Sequence, residues 1–570
     1  MNLPQLCAKP QRDSYADCDS TQESGQRASP SSSPIGQLPP EILRDVFVRY
    51  VTEETTEDNR GWSSPSYAWL KITWVCRFWR EVALEVPQIW STIYVRQRTT
   101  VEMVRAYLER ARNVPLQVTI TRRGSASADL LEALLPDIGR SRSLSLDMPF
   151  EKLELLGGSF PSRAPALQLL RLQAPHAYRS SNSRLLPSSF FKCATPVLEE
   201  LVVARYRLPW SKNLLPPSLV RLSIHSNSSM HSSSIPEIVD CITSLPVLQE
   251  LNLINVLPLT QASTRFPFHH TSKKRVFASL QRLALTDAAL TSAYFLHICA
   301  FALPIATNLV CVSPIDHRSV LRLATSLVPI LEVVSPMLLV INSRSVAFYS
   351  AVKPGADPRS AGTLEADVAE PHMMITLGHS GDLADDFFQD RMCAQLPLAT
   401  VQLLHLDDAC NVGFSAWRDM MEYMPHLDTL LVSTSTVSKD SFDRNDILEL
   451  LGTPTNTHTG AFLIPELAHL VLDSFVVRDH DEEGFHFVTD LKDVIDLRAK
   501  AGFKVERVTI RDCYNMGSDD ITLLADYVNV VWDGKVQFCG PSHGDSSDSC
   551  CEDSEGGEGA GTEDDVNGGG

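Results

Sequence analysis

The stretch LPVLQELNLIN (residues 245–255) decides how most of this chain is read. Its motif residues Leu248, Leu251 and Leu253 follow the form apolar-x-x-apolar-x-apolar. The closing apolar-x-apolar alternates inward and outward, as a short strand must. Before it, SIPEIVDCITSL has the spacing of a helix, and Pro246 punctuates the two. The phrase recurs as APALQLLRLQA (164–174), ATPVLEELVVAR (194–205), PPSLVRLSIHS (216–226) and FASLQRLALTD (277–287). It returns as LATVQLLHLDD (398–408), MPHLDTLLVST (424–434), IPELAHLVLDS (464–474) and, more loosely, FKVERVTIRDC (503–513). The middle anchors are Leu170, Leu201, Leu222, Leu251, Leu283, Leu404, Leu430, Leu470 and Val508. They step by 21 to 40 residues, except for one gap of 121.

A strand-plus-helix unit repeated at this spacing is the signature of a leucine-rich repeat, here irregular. One unit cannot bury its apolar face alone, so neighbours are expected to stack into a solenoid over residues 100–540. An ordinary α/β domain with leucine-rich strands is the alternative, and nine copies in one register argue against it. The interval 285–400 is weaker: LVCV and MLLVINS read as strands, and 352–371 reads as an exposed loop.

Composition limits what else the chain can be. Its 570 residues are 44% apolar and 21% charged, enough for several domains and a large core. The net charge is −19, but residues 541–570 hold nine acids and no base, leaving −10 on the rest. That tail and residues 1–33, rich in Ser, Gln, Asp and Pro, are expected to be disordered. An acidic chain without a basic stripe argues against nucleic acid as a partner. Thirteen cysteines without a C-x-x-C pair fit buried reduced thiols. The N-terminus has no signal-peptide core, so Asn227 in its sequon is not expected to be glycosylated. Residues 288–315 lack a formal charge, but Pro304 would break a spanning helix, so a buried helix and strand are expected there rather than a membrane span. These readings point to a cytoplasmic or nuclear protein.

Order is expected to begin with a helix behind Pro39 and Pro40, where missing amide donors cost nothing. Two apolar series run along it, Ile42, Val46 and Tyr50, and Leu43, Phe47 and Val51. After a polar loop, a second helical pattern passes through Ala68, Ile72, Val75, Cys76, Trp79 and Ala83 until Pro87 stops it, and Ile89 and Trp90 follow. Trp74, Trp79 and Trp90 are three of the chain's eight tryptophans. A small helical unit with more apolar face than it can bury should meet a partner or the rest of the chain.

The segment LPPEILRDVF…ITWVCRFWREVALEVPQIW closely resembles the F-box. Leu38, Pro39, Glu41, Ile42, Leu43, Phe47, Val75, Cys76, Arg77, Trp79, Arg80, Ala83, Pro87, Ile89 and Trp90 fall on that motif in order. The likeness covers about a tenth of the chain, and the loop 52–66 departs from it by its length. F-box proteins commonly carry leucine-rich repeats behind the F-box, and VTIRDCYN…LADYVNVVWDG is similar to the close of fungal members. The resemblance implies an α/β protein: a three-helix F-box over residues 34–95, then the repeat solenoid. It implies binding to a Skp adaptor, and through it cullin, by Leu38, Pro39, Ile42, Leu43, Phe47, Val75, Trp79 and Trp90. The repeats would then hold a protein substrate of a ubiquitin ligase. The alternative is a repeat scaffold whose F-box-like segment only caps the solenoid.

The sequence shows no G-x-S-x-G, no phosphate-cradling glycine loop and no H-E-x-x-H, so no catalytic residue and no cofactor is expected. His480, Asp481, Glu482, Glu483 and His486 lack metal-ligand spacing and read as a solvated turn. His269 and His270 have no acidic partner nearby in sequence.

Overall fold

The computed structural model describes residues 38–57, 67–96, 98–121, 128–175, 184–187, 189–211, 214–226, 233–258, 274–312, 317–342, 345–350, 371–378, 393–407, 414–433, 444–454, 462–477 and 487–537. The expected arm and acidic tail, residues 58–66 of the insertion, nearly all of the 352–371 loop, Asn227, His269, His270 and the run His480 to His486 lie outside them. The chain forms two compact units, Met1–Ala133 and Leu134–Gly570.

The N-terminal unit contains α1 (Pro40–Glu57), a 3-10 helix (Ala68–Trp74), α2 (Arg77–Glu85), α3 (Pro87–Trp90), β1 (Thr92–Val95), α4 (Val101–Ala111) and β2 (Leu116–Ile120). β1 and β2 run parallel with Ile93 opposite Val118. The unit therefore extends past residue 95, and the reason is visible in α4. Its Val104, Tyr107, Leu108 and Ala111 are buried, and the Tyr107 ring lies 5.3 Å from that of Trp90. The core that Trp90 enters is completed only by this later helix.

The second unit is built on β3 (Ser141–Asp147), β4 (Leu169–Gln173), β5 (Glu200–Ala204), β6 (Arg221–His225), β7 (Glu250–Ile254), β8 (Arg275–Phe277), β9 (Arg282–Ala288), β10 (Cys299–Phe301), β11 (Ala306–Val312), β12 (Leu338–Asn342), β13 (Ser345–Tyr349), β14 (Met373–Gly378), β15 (Leu403–Asp407), β16 (Thr429–Ser433), β17 (His469–Asp473), β18 (Arg507–Arg511) and β19 (Asn529–Trp532). From β3 to β7, then β9 and β11, each strand pairs in parallel with the next. The same holds from β15 to β19. Leu170 lies opposite Leu201, then Leu222, Leu251 and Leu283 follow in one row. Leu404, Leu430, Leu470 and Val508 form a second row. Every one of these anchors is buried. Parallel pairing at constant register, with helices between most of the strands, is an α/β arrangement compatible with a leucine-rich-repeat-like solenoid.

The weak interval is where the order of the strands breaks. β12 lies beside β15, not β11; β14 pairs with β11 in parallel, and β13 sits between β12 and β14, antiparallel to both. The ATNLVCV and LLVIN segments are strands, as expected, but the hairpin turns the chain back before it rejoins the array.

Recurrent local devices hold the register. Arg205, Asn255 and Ser474, each just past a strand, take positive φ of 63°, 54° and 54°. Their amides then donate to the end of the next strand, at His225 O, Thr286 O and Arg511 O, over 2.6, 2.7 and 2.9 Å. The helix Ile235–Thr243 starts with a capping box: Ser234 N donates to Glu237 Oε2, and Glu237 N to Ser234 Oγ. The uncharged 288–315 segment divides into the helix Ala289–Ile298, β10 and β11. Among the described residues no helix is long and apolar enough to cross a membrane.

Three buried polar features complete the core. Asp287 at the end of β9 accepts hydrogen bonds from Leu257 N (2.8 Å), Ala288 N (3.1 Å) and Thr291 Oγ1 (3.4 Å). Burial nonetheless pushes its carboxyl up to about 6. Arg498, on the helix Phe487–Lys500, donates to Leu451 O (2.9 Å) and Ile464 O (2.5 Å) and stacks 4.7 Å over Phe462. The first carbonyl ends the helix Arg444–Gly452, where the dipole favours a cation. The described cysteines are free thiols, all but Cys76 buried. Burial pushes Cys241 up to about 11 and Cys311 and Cys513 to about 12, so these three stay protonated and unreactive.

Candidate protein-binding surface

In α1 the two apolar series part company. Leu43, Phe47 and Val51 are buried, whereas Ile42 and Val46 remain 48% and 46% exposed. The choice follows from what the helix meets. The Phe47 ring meets Trp79 edge-on at 5.1 Å, and Arg44 reaches Glu85 of α2 at 2.9 Å. Both contacts turn the Leu43 side of α1 toward α2, which leaves Ile42 and Val46, one turn apart, on another flank.

The single helical pattern expected from Ala68 to Ala83 is two helices with a break at Val75 and Cys76. Cys76 is extended, and its Sγ accepts the Trp79 amide at 3.4 Å, capping α2. Arg80 Nε donates to Thr73 O at 2.8 Å and fixes the angle between the two helices. Before the break, Trp69 and Ile72 are buried. At the break Trp74 and Val75 are each 57% exposed. The break thus removes Val75 and Cys76 from the buried stripe on which their spacing had placed them.

Trp90 faces inward. Its Nε1 donates to Ala83 O at 2.8 Å, and its ring meets Trp69 and Tyr107 edge-on, both at 5.3 Å. Arg110 lies 4.4 Å over the same indole. Tyr67 donates its hydroxyl to Tyr94 O at 2.5 Å and accepts from Tyr94 N at 3.0 Å, tying the 3-10 helix to β1. Burial raises the Tyr67 phenol to about 12, so it remains a donor.

The eight residues expected to contact an adaptor are therefore divided by the structure. Pro39, Ile42 and Val75 are exposed, and Leu38 and Trp79 are half-buried. Leu43, Phe47 and Trp90 are buried and serve the unit's own packing. Val46 and Trp74, absent from that expectation, are as exposed as Ile42 and Val75. The signal for Val46 is its position one turn after Ile42. Trp74 carries no comparable signal, because the break in the helix is not visible in its periodicity.

On the repeat unit the side chains between anchors form ladders across strands. Glu200 meets Arg171 at 3.5 Å and Arg221 at 3.0 Å, and Glu250 meets Arg282 at 3.2 Å. Ser433 Oγ donates to Asp407 Oδ1 at 2.9 Å and lies 2.8 Å from His405 Nε2. Ser433 thus links Asp407 and His405 in a ladder across neighbouring strands. Burial lowers the His405 pKa, keeping the ring neutral.

No protein-family model matches the chain, and no curated protein matches it. Among solved structures, the crystal structure of a TLR13–ssRNA13 complex aligns at 11% identity with a TM-score of 0.30. The alignment covers 76% of this chain and 48% of the other, about half that chain's length.

Proposed function

We propose that the chain is the substrate-recognition subunit of a Skp–cullin–F-box ubiquitin ligase. Its N-terminal unit binds the Skp adaptor, and its repeat unit binds a protein substrate. The observation that carries this reading is the F-box-like order of residues in which Pro39, Ile42 and Val75 stay on the surface. Exposed apolar side chains on short, mutually braced helices are what a protein partner can bury. The subunit's contribution to catalysis is proximity, bringing substrate to the ubiquitin-loaded enzyme supplied by other subunits.

The test is co-purification of the full chain with a Skp adaptor. The wild-type chain should bring the adaptor down, and Ile42→Ser with Val75→Ser should weaken it by about 2–4 kcal/mol, roughly thirtyfold or more. A wild-type chain that never retains the adaptor sinks the proposal. Adaptor binding untouched by the double substitution would move the contact elsewhere on the unit.

A further inference from the structure

β8 and β10 form a small parallel sheet of their own, with Arg275 opposite Cys299, Val276 opposite Ala300 and Phe277 opposite Phe301. Among the described residues β10 has no strand neighbour other than β8. On the outer edge of β10 Cys299 N already donates to Leu296 O, and the remaining main-chain groups of that edge are ones a further strand could take. A two-stranded sheet is marginal by itself, so a third strand adds stability where little exists.

Next to β10 lies a groove of about 150 Å³. Phe301 and Leu303 wall it on the strand side, and Pro329, Ile330 and Val333 of the helix His317–Val334 wall it opposite, with Leu296 also lining it. Leu303 and Val333, and Val276 on β8, are large apolar side chains left exposed. Lys274 also lines the groove; it is exposed and has no acidic partner among the described residues. The volume is informative. Sites for drug-sized ligands run to roughly 300–1,000 Å³, whereas a cavity near 150 Å³ holds one benzene-sized group. This groove fits a single side chain, not a cofactor.

We propose that the groove receives an extended peptide segment of a partner protein. The segment adds a strand to the free edge of β10 and seats one aliphatic or aromatic side chain in the groove. An acidic side chain of the same segment reaches Lys274. Main-chain hydrogen bonds along the edge supply affinity for any extended sequence, and the groove and the lysine choose among sequences. The inference concerns the repeat unit alone and stands whether or not the N-terminal unit binds an adaptor.

The experiment pans phage-displayed random dodecapeptides against the full-length chain and measures the best synthetic peptide by fluorescence anisotropy. Enriched peptides should share one large apolar residue and a nearby acid. Leu303→Glu with Val333→Glu, both at exposed positions, should weaken binding by about tenfold or more. Lys274→Glu, also exposed, should reverse the preference for acidic over basic peptides. Methylation of alternate peptide nitrogens should weaken binding by about tenfold at one phase of the alternation and little at the other. The proposal is overturned if no peptide is enriched, if the variants bind as wild type does, or if the selected peptides bind as helices. A wild-type dimer that the Leu303/Val333 variant makes monomeric would assign the groove to a second copy of this chain, which also overturns it.

Discussion

Leu430 in the repeat unit and Val75 in the N-terminal unit are both aliphatic residues within short, readable motifs. The first is wholly buried, and the second is more than half exposed. Around Leu430 the difference is one of register: Leu404 and Leu470 flank it on neighbouring strands, and each anchor covers the next. Val75 sits where a 3-10 helix has ended and α2 has not begun, so no row of neighbours closes over it. Repetition buries apolar side chains by alignment, whereas a helix break presents them. The comparison separates residues that hold the molecule together from residues free to hold something else.

Among substitutions that probe buried against exposed positions, the largest effect is expected at Trp90. Trp90→Ala removes an indole wedged between Trp69 and Tyr107 and takes from Ala83 O one of its two donors, Val86 N being the other, and should cost about 3–5 kcal/mol in chemical denaturation. A loss under about 1 kcal/mol would return Trp90 to the surface. Leu430→Ala should cost about 3 kcal/mol by the same measurement, as expected for an anchor with aligned neighbours. If it proved silent, the rows would not be the core.

Asp287 sharpens the repeat side through pH. Its carboxyl is raised from 3.8 to about 6 by burial, so the native state keeps the proton after the unfolded chain has lost it. The resulting stability is complete below about pH 4 and disappears as pH rises through 6. For a shift of about two units this amounts to about 2–3 kcal/mol. The Cys311 thiol, which faces this carboxyl, stays neutral over that range. Asp287→Asn should flatten this component of the unfolding free energy between pH 4 and 7; identical pH profiles for both proteins would refute the assignment. Arg498→Met leaves Leu451 O and Ile464 O without their donor, and a loss of about 2 kcal/mol is expected in urea unfolding. A gain instead would mean that desolvating the guanidinium outweighed its two bonds. At the small end, Val75→Ser and Ile42→Ser should each change folding stability by less than about 0.5 kcal/mol, since little burial is lost. A larger change would close the surface on which the adaptor proposal rests.

Much of the repeat unit was legible because its signal is redundant. Nine copies of one short motif recur, the last more loosely, and the structure aligns all nine anchors in two rows. The interval between the rows was not, because β12, β13 and β14 pair out of chain order, and no local pattern encodes which distant strand will be a neighbour. In the N-terminal unit the helices could be read, but the faces could not. The series from Ile42 and the series from Leu43 are equally apolar and differ by one residue, about 100° around the helix. Which is buried depends on Trp79 and Glu85, some forty residues later. The expected contact set mixed both series for that reason.

The displaced hairpin has a consequence for how the second unit can form. An array whose strands pair in chain order can grow from any point, each repeat templating the next. Here β14 must return to β11 across roughly sixty residues of chain, and β15 must find β12 across a similar span. Loops of that length carry an entropic cost of closure before any pairing rewards it. The two regular stretches, β3 to β11 and β15 to β19, are thus positioned to zip independently, with the non-local joint closing last. The topology therefore predicts two folding segments and a clasp, with unfolding beginning at the clasp.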